Sequence, residues 1–570
     1  MKSLISSQKN KSFLLLLFAV IVAGLLCWIY LGFLTDGSVK SSLLQSLLEA
    51  VLFLGYFFKN FSSIGFFIVF VYFFRTPLSE IGESLERRAQ TLAAHSKVFM
   101  IILCLIFMTL LSFYAVSILE CFPNSADEYA YLFQAQTYQE GRLWNPLHPK
   151  HDFFNFDYIY GKDGKWVSNY LPGWPLLLTA GMILKIPLCL INPILGTLSL
   201  IVLFLTARRL YGRGIAVVSV LLFAFSPFFI FNSASYFTHT LCALLILLAS
   251  FLTRTYLDQP KKRYALLSGI FMGWAAITRS YTAALCLWPL LIYAVLKKKK
   301  EAIPYLVLTF MGAAPLLLLN FYFNYRITGN PFLYPVHWYY PDFKIFGFDE
   351  AYPWQRALSK TCFWFELLVF WSGPSILFVY IYFLAAAVLK QRPLSINDLI
   401  FLSLIIGYAW FRDFGGNQYG PRYYYEAYPF LVLSVTSKLL GPGGDLGNIK
   451  MKNFLISILA LGFLFNLAVL PVITRLEHQA IVERQDVYQQ VKEHQIKNAV
   501  VFLKSGTGVL KPMPPEDLTR NGIHLTGDVL YALDHGPRNR ELKPYFPSRK
   551  FYRYSRAPRD PHGTIEEIAL

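Results

Sequence analysis

The stretch VFMIILCLIFMTLLSFYAVSILECFPNSADE, residues 98–128, carries the reading that decides the fold. Val98 to Leu119 is almost wholly apolar and, as a helix, is long enough to cross about 30 Å of hydrocarbon at about 1.5 Å per residue. The run breaks at Pro123 and then presents two adjacent carboxylates, Asp127 and Glu128. A span that ends in an acidic loop predicts an integral membrane protein whose chemistry sits at the bilayer surface.

Working outward, similar runs occur at Phe13–Leu34, Ala216–Phe231, Thr238–Leu252 and Phe454–Val472. Of the 570 residues, 55% are apolar, 17% aromatic and 15% charged, with a mean hydropathy of +0.44, so the bilayer is the main solvent. The net charge of +18 does not point to nucleic acid, because the basic residues gather at the ends of apolar runs, as in Lys297–Lys300 after Leu296. Cys27, Cys104, Cys189, Cys242 and Cys286 lie inside apolar runs without zinc spacing and read as small hydrophobic residues. Lys2, Lys9 and Lys11 precede a first apolar run with no small-residue cleavage site, which reads as a retained span.

Threading by the basic loops gives an all-α polytopic protein of about 13 transmembrane helices with its N-terminus in the cytoplasm of a cell (inner) membrane. Residues 1–97 form a transmembrane hairpin and cytoplasmic loop, 98–473 the transmembrane catalytic domain with an outer loop at 120–170, and 474–570 a small soluble extracytoplasmic α/β appendage. Residues 171–187 are Pro-rich and read as an interfacial or half-inserted helix. The C-terminal region reads as a helix over 474–495 and a strand over 499–503.

Adjacent carboxylates at a membrane surface repel each other and resist desolvation, which suits a general base, a metal ligand or a binder of sugar hydroxyls. The other reading of Asn124 to Glu128 is a helix N-terminus, since it is rich in capping residues and first-turn acids. His148, His151 and Asp152 form a possible divalent-metal cluster, although Pro149 interrupts its spacing. The aromatic loop at 332–340, with Trp338, suits either sugar stacking or an interfacial belt. His239 reads as a buried or headgroup-level histidine rather than a catalyst, and Arg412 and Asp413 as a pair.

The order of motifs resembles the GT-C superfamily of membrane glycosyltransferases, in the branch of the protein O-mannosyltransferases and the lipid A aminoarabinose transferase. The likeness is carried by Asp127-Glu128 after an early span, Tyr131, Gly141-Arg142-Leu143-Trp144-Asn145-Pro146, Asn169-Tyr170-Leu171-Pro172-Gly173-Trp174-Pro175-Leu176, and Ala207-Arg208-Arg209-Leu210-Tyr211-Gly212. It covers roughly residues 98–440. Two departures stand out: Ala130 where the aminoarabinose branch has a basic residue, and Pro172-Gly173 where that branch has a lysine before a double proline.

The resemblance implies inverting transfer of a sugar from a polyprenyl-phosphate donor to a lipid, glycan or protein at the outer face. Asp127 would be the base, with Glu128 as the second catalytic candidate, acting in the reaction or positioning a substrate or cation. The leaving phosphate needs positive charge, for which Arg422 and Arg279 are the candidates, with Lys165 compensating for Ala130. Tyr131, Asp157, Tyr170 and Trp338 are expected at the sugar and acceptor. A lipid-linked sugar flippase or other transporter, or a polysaccharide ligase or polymerase, would share many of these features. A transporter, however, would place its charges near mid-span.

Overall fold

The computed structural model describes residues 75–389, 393–413, 415–441, 449–504, 514–557, 560 and 562–570. The spans expected near 13–34 and 48–74, Cys27, and the basic cluster at 390–392 lie outside the described residues.

An amphipathic helix α1 (Arg75–Ala94) leads into α2 (Ser96–Phe113), which ends in a wider π turn, Tyr114–Ile118. In α2 the stripe Met100, Leu103, Phe107 and Leu111 faces the protein, whereas Val98, Ile101 and Leu105 are exposed. Both faces are apolar because one packs on helices and the other meets lipid.

The outer loop then forms α3 (Ala126–Gln139) and a small sheet of β1 (Asn145–Pro146), β2 (Ile159–Lys162) and β3 (Lys165–Ser168), in the order β1-β3-β2. Asp163 and Gly164 both take positive φ between β2 and β3, as a two-residue hairpin turn requires. Helix α4 (Gly173–Ile183) has 11 residues, too few to cross hydrocarbon, as expected of an interfacial or half-inserted segment rather than a full span.

Next come α5 (Ile191–Tyr211), α6 (Arg213–Ala224), α7 (Pro227–Ala234), α8 (His239–Asp258), α9 (Lys262–Thr278), α10 (Ser280–Lys298) and α11 (Ala302–Thr328). Ser226 caps α7 and Pro227 starts it, so α6 and α7 meet at 66°. Helices α9 and α11 touch backbone to backbone: a Cβ on Gly269 would collide with the Thr309 carbonyl, and one on Gly312 with that of Leu266. Such small-residue seams let helices associate in lipid, where no hydrophobic drive exists between them.

Short α12 (Pro335–Tyr339) precedes α13 (Trp354–Ser372), α14 (Pro374–Leu389), α15 (Ile396–Trp410) and α16 (Tyr428–Leu440). Among the described residues, five helical segments are long and apolar enough to cross a membrane, or six if the bent pair is one span. The expected number of about 13 is therefore not reached on the described residues.

Helix α17 (Ile449–Glu493) runs 45 residues from the helical body into the C-terminal region, so the helix expected at 474 is the second half of a longer one. Beyond it, β4 (Ala499–Leu503) lies parallel to β5 (Val529–Leu533) and β6 (Lys550–Ser555), and β7 (Thr564–Glu567) closes the order β5-β4-β6-β7. This region is not a free appendage. Tyr129 donates to Asn521 O, Thr519 Oγ1 to Asn155 O at 2.6 Å, and Lys150 pairs with Glu541 at 2.7 Å, which docks the sheet onto the outer loop.

The cysteine reading needs one correction. Cys189 is buried but not a free small hydrophobe: it forms a disulfide with Cys121 across 68 residues, with the Cα atoms 5.2 Å apart. The apolar run concealed this, because Cys189 lies in the short turn Leu188–Leu190 at the very start of the span that continues into α5. On chain-entropy grounds, closing a loop of that length stabilises the fold by about 4 kcal/mol. The C121S/C189S variant should therefore unfold at a lower temperature in detergent, and wild type should lose the same increment under reductant; equal melting of all three would contradict the assignment.

Candidate active site

Ser125 starts α3 by accepting the Glu128 N–H at 3.2 Å. Asp127 and Glu128 thus occupy the first helical turn, where the helix dipole favours negative charge. The helix N-terminus reading is thus met in the structure. Consecutive helical residues point about 100° apart, so the two carboxylates diverge.

Asp127 is partly exposed and meets Arg422, with Oδ2 3.1 Å from Nη2, while Oδ1 accepts the Tyr170 hydroxyl. Tyr170 packs on Tyr131, their rings 4.3 Å apart. Glu128 is buried and turned inward, where Oε1 accepts the Tyr236 N–H at 2.8 Å and Oε2 the Ser125 hydroxyl at 3.2 Å. It ties α3 to the turn between α7 and α8.

Arg422 reaches Asp127 because its loop is anchored from several sides. Tyr419 and Gly420 both take positive φ, and a Cβ on Gly420 would strike Phe228 and Trp371. Asn232 Nδ2 donates to Tyr419 O at 3.0 Å, and Gln418 Nε2 to Asn124 O at 3.1 Å. The guanidinium lies over Phe237, 3.9 Å from the ring centroid. Its Nε and Nη1 are buried without a hydrogen-bond partner. Buried donors of this kind are costly unless a ligand completes them. The cation that meets Asp127 is therefore Arg422, which lies almost 300 residues away in the chain.

Beside this pair, Arg279 sits at the break between α9 and α10. Its Nε is 3.2 Å from Glu426 Oε1, and its Nη2 donates to the Tyr408 hydroxyl at 3.2 Å. His239 Nδ1 lies 3.0 Å from the same Glu426 oxygen, so the histidine is buried as expected. Tyr423 stacks on Tyr408 at 4.8 Å and lies under the Arg279 guanidinium at 5.4 Å. Sequence reading missed Glu426. The signal was an acid in an otherwise apolar, aromatic run directly after Tyr425, which is rarely tolerated without a partner.

Other expected residues are elsewhere. The Lys165 ammonium is held away from Asp127 and Arg422 by the end of α11, donating to Ile327 O at 2.6 Å and Arg326 O at 3.1 Å. Trp338 is buried among Val167, Phe323 and Ile327, which removes it from sugar stacking. His148 stacks on Phe546 and Asp152 pairs with Arg538 at 2.7 Å, so these two and His151 do not converge as metal ligands. Among the described residues no group of three His, Cys, Asp or Glu does. Arg412 pairs with Asp349 at 2.5 Å rather than with Asp413, which instead accepts the Tyr423 hydroxyl at 2.8 Å. Asp157 keeps contact with solvent, but partial burial and the negative charges of Asp517, Glu516 and Asp127 push it up to about 6.

Burial pushes the Glu128 carboxyl up to about 7, against the opposing pull of the Tyr236 N–H, Arg422 and Ser125. The folded state therefore binds this proton more tightly than the unfolded chain does. That contribution to stability is full below the ordinary value of 4.5 and is lost as pH rises through about 7. Wild type should accordingly melt lower at pH 8 than at pH 5, with Glu128→Gln showing a flatter profile; parallel profiles would remove Glu128 as the cause.

Residues 175–319, from α4 into α11, match the family model described as dolichyl-phosphate-mannose-protein mannosyltransferase. That segment includes Arg279 and His239 but neither Asp127 nor Arg422. No curated protein matches the sequence significantly. Among solved structures, ArnT from Cupriavidus metallidurans bound to undecaprenyl phosphate is similar, with 10% identity over 83% of this chain and 97% of that one and a TM-score of 0.48. The Archaeoglobus fulgidus oligosaccharyltransferase in complex with zinc and sulfate gives 12% identity, 70% and 60% coverage and a TM-score of 0.41. Arabinofuranosyltransferase AftD from Mycobacteria gives 11%, 77% and 32%, and 0.36. The matched segment falls within residues 98–440, the stretch whose motifs resemble the GT-C superfamily of membrane glycosyltransferases.

Proposed function

We propose that the chain transfers a sugar from a polyprenyl-phosphate donor to a hydroxyl-bearing acceptor at the outer face of a cell membrane, with inversion at the anomeric carbon. The observation that supports this most is the Asp127–Arg422 pair, in which an accessible carboxylate adjoins a buried guanidinium with unpartnered N–H groups. The description of the matching family, which names a dolichyl-phosphate mannose donor, supports the same donor class.

In this reading the acceptor oxygen attacks the anomeric carbon from the side opposite the phosphate. The carbon–oxygen bond to the phosphate breaks, and its electron pair leaves with the polyprenyl phosphate. Asp127 takes the acceptor proton, and Tyr170 holds its other oxygen in place. Arg422 meets the charge developing on the leaving phosphate through N–H groups already desolvated and oriented. Arg279, fixed by Glu426 and Tyr408, extends the positive field. Glu128 positions α3. The Cys121–Cys189 disulfide favours an oxidising, extracytoplasmic location for this face. His239, Arg279 and Glu426 stand at helix ends rather than mid-span, which favours an enzyme over a transporter.

The test is to incubate the purified full chain with polyprenyl-phosphate mannose and candidate acceptors and to follow release of polyprenyl phosphate. Acceptor-dependent release supports the proposal. Movement of intact donor across vesicles without bond cleavage would replace it with the transporter reading.

A further inference from the structure

The far ends of the same helices carry a second feature, a helix length away from the Asp127–Arg422 site. Helix α8 begins at His239, beside Glu426, and ends at Asp258, 20 residues and therefore about 30 Å away. Three turns meet at that end. Residues 208–213 contribute three Lys or Arg, 258–263 three and 297–301 four, ten cations against the two acids Asp258 and Glu301. Asp258 joins all three turns, 3.1 Å from Arg209 and 3.9 Å from Lys297, so the excess charge is gathered in one place.

A cavity of about 370 Å³ opens there, lined by Tyr256, Pro260, Lys298, Lys300, Glu301 and Pro304. Its floor is rigid, because Tyr256 packs on Tyr305 at 5.1 Å and Tyr305 shares a 2.6 Å hydrogen bond with Thr253. The one acid in the lining, Glu301, is mostly exposed and only 3.9 Å from Lys298, a weak surface contact. The lysines are therefore not neutralised within the protein.

Positive charge alone would hold any anion. What narrows the choice is the surface next to the cavity: Leu296, Ile303, Val307 and Phe310 are each more than half exposed. Ile303, Val307 and Phe310 follow at spacings of four and three along α11 and so form one apolar stripe descending from Pro304. A cationic pocket above an exposed apolar stripe matches an amphiphile, with its phosphate in the pocket and its chains along the helix.

We propose that this pocket binds the headgroup of an anionic phospholipid in the leaflet opposite the Asp127–Arg422 site. Lys298 and Lys300 contact the phosphate, and the α11 stripe takes an acyl chain.

The experiment uses the purified full chain in detergent and measures retention of a short-chain phosphatidylglycerol against phosphatidylcholine by native mass spectrometry. The protein should prefer phosphatidylglycerol. K298Q/K300Q should weaken that binding about 25-fold, at about fivefold per lysine near a membrane surface. K298R/K300R should restore it, which separates the charge from any folding defect. Equal retention of both lipids, or an undiminished preference in K298Q/K300Q, would overturn the proposal. Inorganic phosphate is the third arm: competition at equal concentration would mean a free-anion site and likewise overturn the lipid assignment.

Discussion

Asp127→Asn should reduce glycosyl transfer about 10²- to 10⁴-fold, the usual contribution of a positioned general base. Asparagine retains the size of the side chain and an oxygen able to face Arg422 or the Tyr170 hydroxyl, so α3 and its Ser125 cap should stay intact. What it lacks is the ability to take the acceptor proton. The loss should therefore fall on kcat, with donor KM changing little. Monodispersity and melting temperature in detergent serve as the control for folding. A variant with near-normal turnover would reduce Asp127 to a first-turn acid of α3.

The second large effect is expected at Arg422. R422A should lower kcat by about 10²- to 10³-fold, the cost of losing a preorganised donor to developing negative charge. R422K should recover only part of that, because a lysine keeps the charge but lacks the planar fork. Removing the guanidinium also leaves Asp127 without its cation, so R422A and D127N should be strongly non-additive. A double-mutant cycle on turnover measures this directly. Independent effects, with R422A altering only thermal stability, would return Arg422 to the role of a structural anchor.

The fold was legible where the period of the sequence was the cause of the structure. Apolar runs ending in basic turns gave helices close to those observed, and Ala499–Leu503 is a strand at the expected positions. The parts missed depend on long-range geometry. Cys121 and Cys189 resemble ordinary small residues until the loop brings them together. The cation beside Asp127 could not be located from Ala130 outward, because it arrives from a turn near residue 420 whose shape depends on Tyr419 and Gly420. Lys165 and Trp338 had suitable chemistry but are held by the end of α11 and its aromatic neighbours. Glu426 was visible as an anomaly of burial, and it required His239 and Arg279 to explain it.

Helix α17 passes from the helical body to the C-terminal sheet as one continuous rod. The sheet is therefore indexed to the bilayer by helical phase and not tethered by a linker. Each residue added to or removed from the rod turns the sheet about 100° and shifts it about 1.5 Å. Tyr129, Asn155 and Lys150 can meet their C-terminal partners in only one such setting. Even a whole turn inserted between Ile473 and Arg484, which restores the phase, would lift the sheet by about 5.4 Å and part these contacts, so the rod fixes height as well as angle, as a key fits one depth of a lock.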